Sequence, residues 1–402
     1  MPDDATPKPG HPPHAFATRM SHAGRAGTRA PGFVNPAVHR GSTVLAPSIA
    51  ARREAQKRRF DQVMTYGTQG GPTHYMLEDV IAEIEGGTRS FIVGTGLAAV
   101  AVPLLAYLKA GDHCLMPDSV YGPARNLANG LLKGWGVETS FYDPCVDEAG
   151  MAALLRPNTK VVYTESPGSH TFEVQDIPAI ARAAHARGAK VLMDNTWGIH
   201  HFMPFEKGVD VSIQALTKYV GGHSDILLGS VTVKTEEDWV AIRGAGSQLG
   251  QYASPDDAWL ALRGVRTMPV RLARQMASGI EVARWLEGRP EVLRVLHPAL
   301  PSHPQHALWQ RDFTGACSLF GVVFQPRYTP AQIEDVIDNL ALFGIGASWG
   351  GFESLATLTT GGITRTAGTG DFGGPMARIH VGLEEPADLI ADLAQGLARL
   401  AG

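Results

Sequence analysis

Lys218 lies in Ala215-Leu-Thr-Lys-Tyr-Val-Gly-Gly-His-Ser-Asp225, directly after a strand candidate and before a Gly-Gly turn. A lysine in that place could be a solvated strand end. Here apolar and small residues flank it, and the glycines let the backbone crowd a ligand. A partly desolvated lysine has a lowered pKa and can form a Schiff base. Asp194 closes an earlier strand candidate, Lys190–Asp194. It could be a turn or helix-capping residue. It could also keep the pyridine nitrogen of pyridoxal 5'-phosphate protonated, the charge that makes that ring an electron sink. A Schiff-base lysine with such a carboxylate is the pairing by which this cofactor is held.

The segment Val93-Gly-Thr-Gly-Leu-Ala-Ala99 opens a helix candidate. A glycine-rich helix entry binds phosphate through its free N–H groups and the positive end of the dipole. Gly96 and Leu97 would donate backbone N–H groups, and Thr217 could add a hydroxyl. Tyr121, after the strand candidate at Leu115, could be core or could stack on a cofactor ring. The same glycines fit the looser G-x-G-x-x-A dinucleotide pattern, with Asp118 following the next strand. That reading leaves Lys218, Asp194 and Arg378 without roles.

Short apolar runs alternate with helical stretches from about residue 75 to 235 and predict a mostly parallel sheet covered by helices on both faces. Ligands of such sheets bind outside the carboxyl ends of the strands, where Asp194 and Lys218 fall. A long helical stretch from about Pro255 to Leu286 leads to a smaller C-terminal α+β segment. The expected division is a segment 1–70, a large domain 71–265 and a small domain 266–402. Met1 to about Ala30 shows no apolar periodicity and reads as a mobile arm, with order starting near Phe33.

The chain has 402 residues, 44% hydrophobic and 18% charged, with a formal net charge of −4. That suits a large buried core. No basic excess points to nucleic acid or a membrane surface, and no apolar run is long enough to span a bilayer. The three cysteines, Cys114, Cys145 and Cys317, show neither a disulfide framework nor a zinc spacing, and read as thiols of a reducing, cytoplasmic compartment. His200-His201 would place its rings on opposite faces of a strand, so no metal site is expected there.

As a set, these motifs resemble the Cys/Met-metabolism group of pyridoxal-phosphate enzymes. The likeness runs from about Val34 to the C-terminus. It is carried by Val34-Asn-Pro-Ala-Val38, Tyr66-Gly67, Asp118-Ser-Val-Tyr-Gly122, Glu165-Ser-Pro-Gly-Ser169, Asp194-Asn-Thr-Trp197 and Gly222-His-Ser-Asp225, and later by Ser348-Trp-Gly-Gly-Phe-Glu-Ser354 and Arg378-Ile-His-Val-Gly-Leu-Glu384. The resemblance implies an aspartate-aminotransferase-like (type I) α/β fold with a mostly parallel seven-stranded sheet. It assigns Lys218 to the Schiff base, Asp194 to the pyridine nitrogen and Tyr121 to ring stacking. Arg378, with Ser348 and Trp349, falls at the carboxylate of an amino-acid substrate, where a guanidinium can fork onto two oxygens. Tyr66 is assigned to the cofactor of a neighbouring subunit, in a homotetramer built from dimers.

The implied reaction is β-elimination at a carbon–sulfur bond. γ-Elimination or replacement on the same scaffold is the alternative, and a non-catalytic relative is a further one. One position departs from the pattern. Thr68 stands where the family usually has an arginine on the phosphate, so an ion-pair partner is lost. Either another basic group, Arg89 among the candidates, replaces it, or the cofactor is held less firmly.

Overall fold

The computed structural model describes residues 14–24, 33–368 and 370–401. Seven strands form the central sheet: Arg89–Val93 (β1), His113–Pro117 (β2), Glu138–Tyr142 (β3), Thr159–Glu165 (β4), Lys190–Asp194 (β5), Val211–Gln214 (β6) and Gly229–Val233 (β7). Their order is β1-β7-β6-β5-β4-β2-β3. The pairs from β3 through β6 are parallel, and β7 runs antiparallel to both its neighbours. Runs such as Val161-Val162-Tyr163-Thr164 are buried throughout because helices cover both faces of the sheet. β3 is harder to see in the sequence. It is an edge strand, and Glu-Thr-Ser-Phe-Tyr needs only partial burial.

Each face of the sheet carries its own core. One joins Val93, Met116, Leu192 and Val231 to the helix Gly96–Tyr107. The other joins Leu115, Val162 and Met193 to the helices Pro72–Glu85, Ile177–Ala186 and Pro255–Glu287. The strands Val292–Leu296 (β8), Leu319–Phe324 (β9), Leu355–Leu358 (β10) and Met376–His380 (β11) form a second, antiparallel sheet in the order β10-β11-β9-β8. The helices Pro330–Asp338 and Pro386–Leu397 complete its core.

The 33-residue helix Pro255–Glu287 belongs to both halves. Its hydroxyl cap, Ser254, accepts the Asp256 N–H, and Pro255 occupies the first turn where its missing donor costs nothing. Leu262, Val265, Met268 and Leu272 pack under the large sheet, whereas Val282, Ala283 and Leu286 pack under the small one. The division expected after residue 265 therefore falls inside a continuous helix.

The N-terminal expectation needs correction. Residues 1–13 and 25–32 lie outside the described residues, but Phe16–His22 is a helix. Met20 is fully buried, Arg266 donates to the Met20 carbonyl at 2.9 Å, and the Phe16 ring stacks on His200. Seven residues are too few to show a periodicity or to be stable alone, so docking against the long helix is what holds them.

Candidate active site

A cavity of about 280 Å³ opens at the carboxyl ends of β4 and β5 and is closed on one side by the small sheet. Its floor follows from the sheet register. β4 and β5 are paired so that their last residues, Glu165 and Asp194, lie side by side.

The helix Gly96–Tyr107 points its N-terminus into the cavity. Thr95 caps it by accepting the Ala98 N–H at 3.0 Å, which leaves the Gly96 and Leu97 N–H groups without intrahelical partners. A β-carbon at Gly96 would sit 2.8 Å from that of Ala215, so glycine is what lets this helix end approach the Ala215–Lys218 turn. Free N–H groups at a helix N-terminus suit an anion such as phosphate.

Lys218 lies in the turn after β6, with its N–H on the Ala215 carbonyl at 3.0 Å and its carbonyl on the Gly222 N–H at 2.7 Å. Gly222 has φ +70°. Arg271 braces the turn from below, donating to the Tyr219 and Gly264 carbonyls at 2.8 Å. The lysine Nζ donates to Ser348 Oγ at 2.7 Å and lies 5.5 Å from the centre of the Trp349 ring. Burial, reinforced by Arg378 and partly offset by Asp194, lowers its pKa to about 8.

Asp194 accepts the Thr196 N–H at 3.0 Å. Burial pushes both Asp194 and its neighbour Glu165 upward, and the charge of Asp194 adds to the push on Glu165, which reaches about 8. Lys218 and the Thr196 donors favour the charge on Asp194, so Glu165 is the member of the pair that keeps a proton. Glu165 also accepts the Tyr121 N–H and the Ser169 hydroxyl, each at 2.7 Å. It therefore fixes the backbone of Tyr121, whose ring lines the cavity and is 42% exposed. Sequence reasoning quoted Glu165 in a motif but gave it no place in the site. Its partners come from cross-strand register and a distant loop, which local spacing does not show.

Arg378 projects from β11 and lines the cavity. Its guanidinium donates to the Ala347 and Ser348 carbonyls at 3.2 Å and to Gly346 at 3.4 Å. Among the described residues no carboxylate pairs with it, so it is not the surface ion pair that a strand arginine often makes. Trp349 packs edge-on against Tyr219, with ring centres 5.5 Å apart.

The structure thus gathers Lys218, Asp194, Tyr121, Gly96, Leu97, Thr217, Trp349 and Arg378 around one cavity, with Ser348 on the lysine amine. Thr217 is there with a qualification. Its hydroxyl donates to the Leu228 carbonyl at 3.1 Å and accepts the Leu228 N–H at 3.0 Å, so its proton is already engaged. Tyr66 and Thr68 are not on this cavity. They sit at the turn Gly67–Gln69, with Tyr66 52% exposed. Nor is Arg89 available to replace the missing arginine. It donates to the Phe60 carbonyl at 3.1 Å, pairs with Asp61 at 3.3 Å and lies over Trp239.

The dinucleotide reading of the glycines also fails on geometry. A Rossmann unit needs its first two strands adjacent, and here four strands separate β1 from β2. Asp118, the candidate for a ribose hydroxyl, is buried and spoken for. It accepts from Arg125 at 2.5 Å and from the Thr366 and Ala367 N–H groups at 2.6 and 2.7 Å.

Residues 17–398 match the family described as Cys/Met metabolism PLP-dependent enzyme. Over 385 residues the chain is 48% identical to a putative cystathionine beta-lyase of Rhizobium johnstonii, covering 95% of each. Over 366 residues it is 45% identical to the cystathionine beta-lyase of Bordetella avium, covering 90% of this chain and 91% of that one. Its fold superposes on the crystal structure of metB from Corynebacterium glutamicum with a TM-score of 0.88 at 28% identity, over 96% and 98% of the two chains. With that family model spanning nearly the whole chain, the chain belongs to the Cys/Met-metabolism family of pyridoxal-phosphate-dependent enzymes.

Proposed function

We propose that the chain is a carbon–sulfur β-lyase that converts L-cystathionine to homocysteine, pyruvate and ammonia. The observation that carries the site assignment is Lys218 itself. Its amine, with a pKa lowered to about 8, sits in one cavity with a buried carboxylate and an arginine that no carboxylate among the described residues pairs with. The similarity to relatives named cystathionine beta-lyase supports the choice of substrate.

The residues fit the cofactor. Gly96 and Leu97 offer N–H groups to its phosphate, and Thr217 a hydroxyl there once its proton turns from the Leu228 carbonyl; Asp194 offers a charge for its ring nitrogen, and Tyr121 a ring for stacking. Once bound, the cofactor supplies the aldehyde that Lys218 condenses with and the ring that stores negative charge from the substrate α-carbon. Arg378 holds the substrate α-carboxylate, with Ser348 and Trp349 beside it. Lys218, its amine neutral above about pH 8, would accept the substrate α-proton at Nζ as general base. Ser348 Oγ, already on Nζ, holds the amine in position. Tyr121 supplies a hydroxyl whose pKa is raised by burial and then by Asp194, so it carries a proton through the working range. Incubation of the purified protein with L-cystathionine tests the reading. Pyruvate is the expected keto acid, and 2-oxobutyrate would indicate γ-chemistry instead.

Capture of the cofactor by the cofactor-free protein depends on neutral Lys218. The protonated fraction falls as pH rises through about 8. The rate of appearance of the visible absorbance should therefore climb from pH 6 to about 8 and level off above it. An unperturbed lysine would keep climbing toward about pH 10.4.

Tyr66 and Thr68 act on the cofactor of a neighbouring chain, in a tetramer built from dimers. Their distance from their own cavity supports this, as do exposed apolar residues on the same segment, among them Phe33, Leu45 and Ile49. Mixing inactive Tyr66→Ala and Lys218→Ala chains under subunit exchange should restore up to about a quarter of wild-type activity, because half of random dimers carry one intact site of two. No recovery after verified exchange counts against shared sites. No helix among the described residues is long and apolar enough to cross a membrane. Free Cys114, Cys145 and Cys317 fit a reducing, cytoplasmic setting.

A further inference from the structure

Residues 168–173 form a tight turn on one wall of the cavity. The Phe172 N–H donates to the Gly168 carbonyl and the Gly168 N–H to the Glu173 carbonyl, both at 3.0 Å, and the Ser169 N–H donates to the Ser119 carbonyl at 2.9 Å. Within it His170 has φ +64° and Phe172 φ +57°. Side chains larger than glycine's seldom adopt this left-handed region. Such residues persist where the surroundings over-determine them, often at ligand sites. The surroundings do so here. Arg365, from the segment between β10 and β11, donates to the Thr171 hydroxyl at 2.8 Å and pairs with Glu173 at 2.5 Å.

The turn places His170 on the cavity that Arg378 also lines. The Nδ1 atom of His170 is sealed from solvent and has no hydrogen-bond partner among the described residues, so Nε2 is the ring nitrogen that a ligand in the cavity can meet. Burial, and then the charge of Arg378, hold the ring neutral by lowering its pKa to about 4. A neutral imidazole still carries one N–H to donate. No role described above uses this group. A ligand atom that approaches both His170 and Arg378 has to tolerate the guanidinium, which repels an ammonium and attracts a carboxylate. A carboxylate oxygen is also the acceptor an imidazole N–H binds most strongly.

We propose that His170 is a substrate-positioning residue, donating a hydrogen bond to the α-carboxylate that Arg378 grips. The proposal rests on the reading of this cavity as an amino-acid site. Arg378 supplies charge, and His170 supplies a direction fixed by a backbone with little freedom to move.

Three substitutions at this position separate a hydrogen bond from mere packing. His170→Gly removes the ring and adopts φ +64° without strain. His170→Gln carries an amide N–H about as far as Nε2 reaches, whereas His170→Glu is nearly isosteric with it and offers only acceptors. The measurement is the dissociation constant of L-alanine and of L-alaninamide for the cofactor-loaded protein, read from the change in visible absorbance. Thermal unfolding of each variant is followed alongside. A hydrogen bond to a charged group is worth about a ten- to hundredfold change in affinity. His170→Gly should weaken L-alanine by that factor and leave L-alaninamide nearly unchanged. His170→Gln should recover most of the loss, and His170→Glu should be the weakest of the three. If His170→Gly does not fold, the Gln and Glu pair makes the same comparison. Equal binding by wild type and variants overturns the proposal, as does an equal loss for acid and amide. A wild-type protein that binds no amino acid overturns the underlying reading, and this proposal with it.

Discussion

Lys218→Ala should remove the visible absorbance of lysine-bound cofactor and lower the turnover of L-cystathionine by at least about 10³-fold. Positioned general bases contribute about 10²–10⁴-fold by themselves, and this lysine is also the proposed covalent anchor. The amine sits between Asp194 and Arg378 with its proton on Ser348, and among the described residues no other lysine lines the cavity to take over. Alanine also removes a cation from a buried carboxylate, so Asp194 shifts further toward the protonated form. The measurement is steady-state pyruvate formation together with the absorption spectrum. Residual activity within tenfold of wild type would mean that the α-proton is removed elsewhere.

Asp194→Asn should cost about 10³-fold in kcat while leaving the protein folded. A unit charge about 4 Å from a ring nitrogen, at an effective dielectric near 20, is worth about 4 kcal/mol, close to three powers of ten in rate. Asparagine keeps the shape and can still accept the Thr196 N–H, so the loss reports the charge together with the acceptor it gives the ring nitrogen. Glu165 sharpens the test. With Asp194 neutralised, the repulsion that helps push Glu165 upward disappears, and its carboxyl titrates at lower pH. The pH profile of the variant should therefore change in shape as well as height. A variant with an unchanged profile and rate would place the ring-nitrogen partner elsewhere.

Much of this site could be seen in the sequence because its residues end strands. Asp194 closes a buried apolar run, and Lys218 follows another. Such runs are recognisable when both faces of a parallel sheet are covered. Gly96 and Leu97 were visible as a glycine-rich helix entry. What escaped depends on contacts between distant parts of the chain. Glu165 acts through cross-strand register with Asp194 and through the backbone of Tyr121. His170 matters because of a left-handed turn that a polar tripeptide does not announce. Arg89 looked like a free cation until Asp61, Phe60 and Trp239 occupied it. The helix Phe16–His22 carries only Phe16 and Met20 as large apolar residues, and tertiary docking rather than propensity holds it. β3, an edge strand with one exposed acid, has too weak an apolar pattern to stand out.

The helix Pro255–Glu287 bears on how this molecule can be divided. A chain severed near residue 265 would strand Met268 and Leu272, which pack on the large-sheet core, on the fragment that carries the small sheet. Neither half can be cut free without baring an apolar stripe, and an isolated large-sheet piece should precipitate rather than bind cofactor. The two sheets are thus inherited, expressed and lost as a unit. That permanence suits a cavity with Lys218 on one wall and Arg378 on the other.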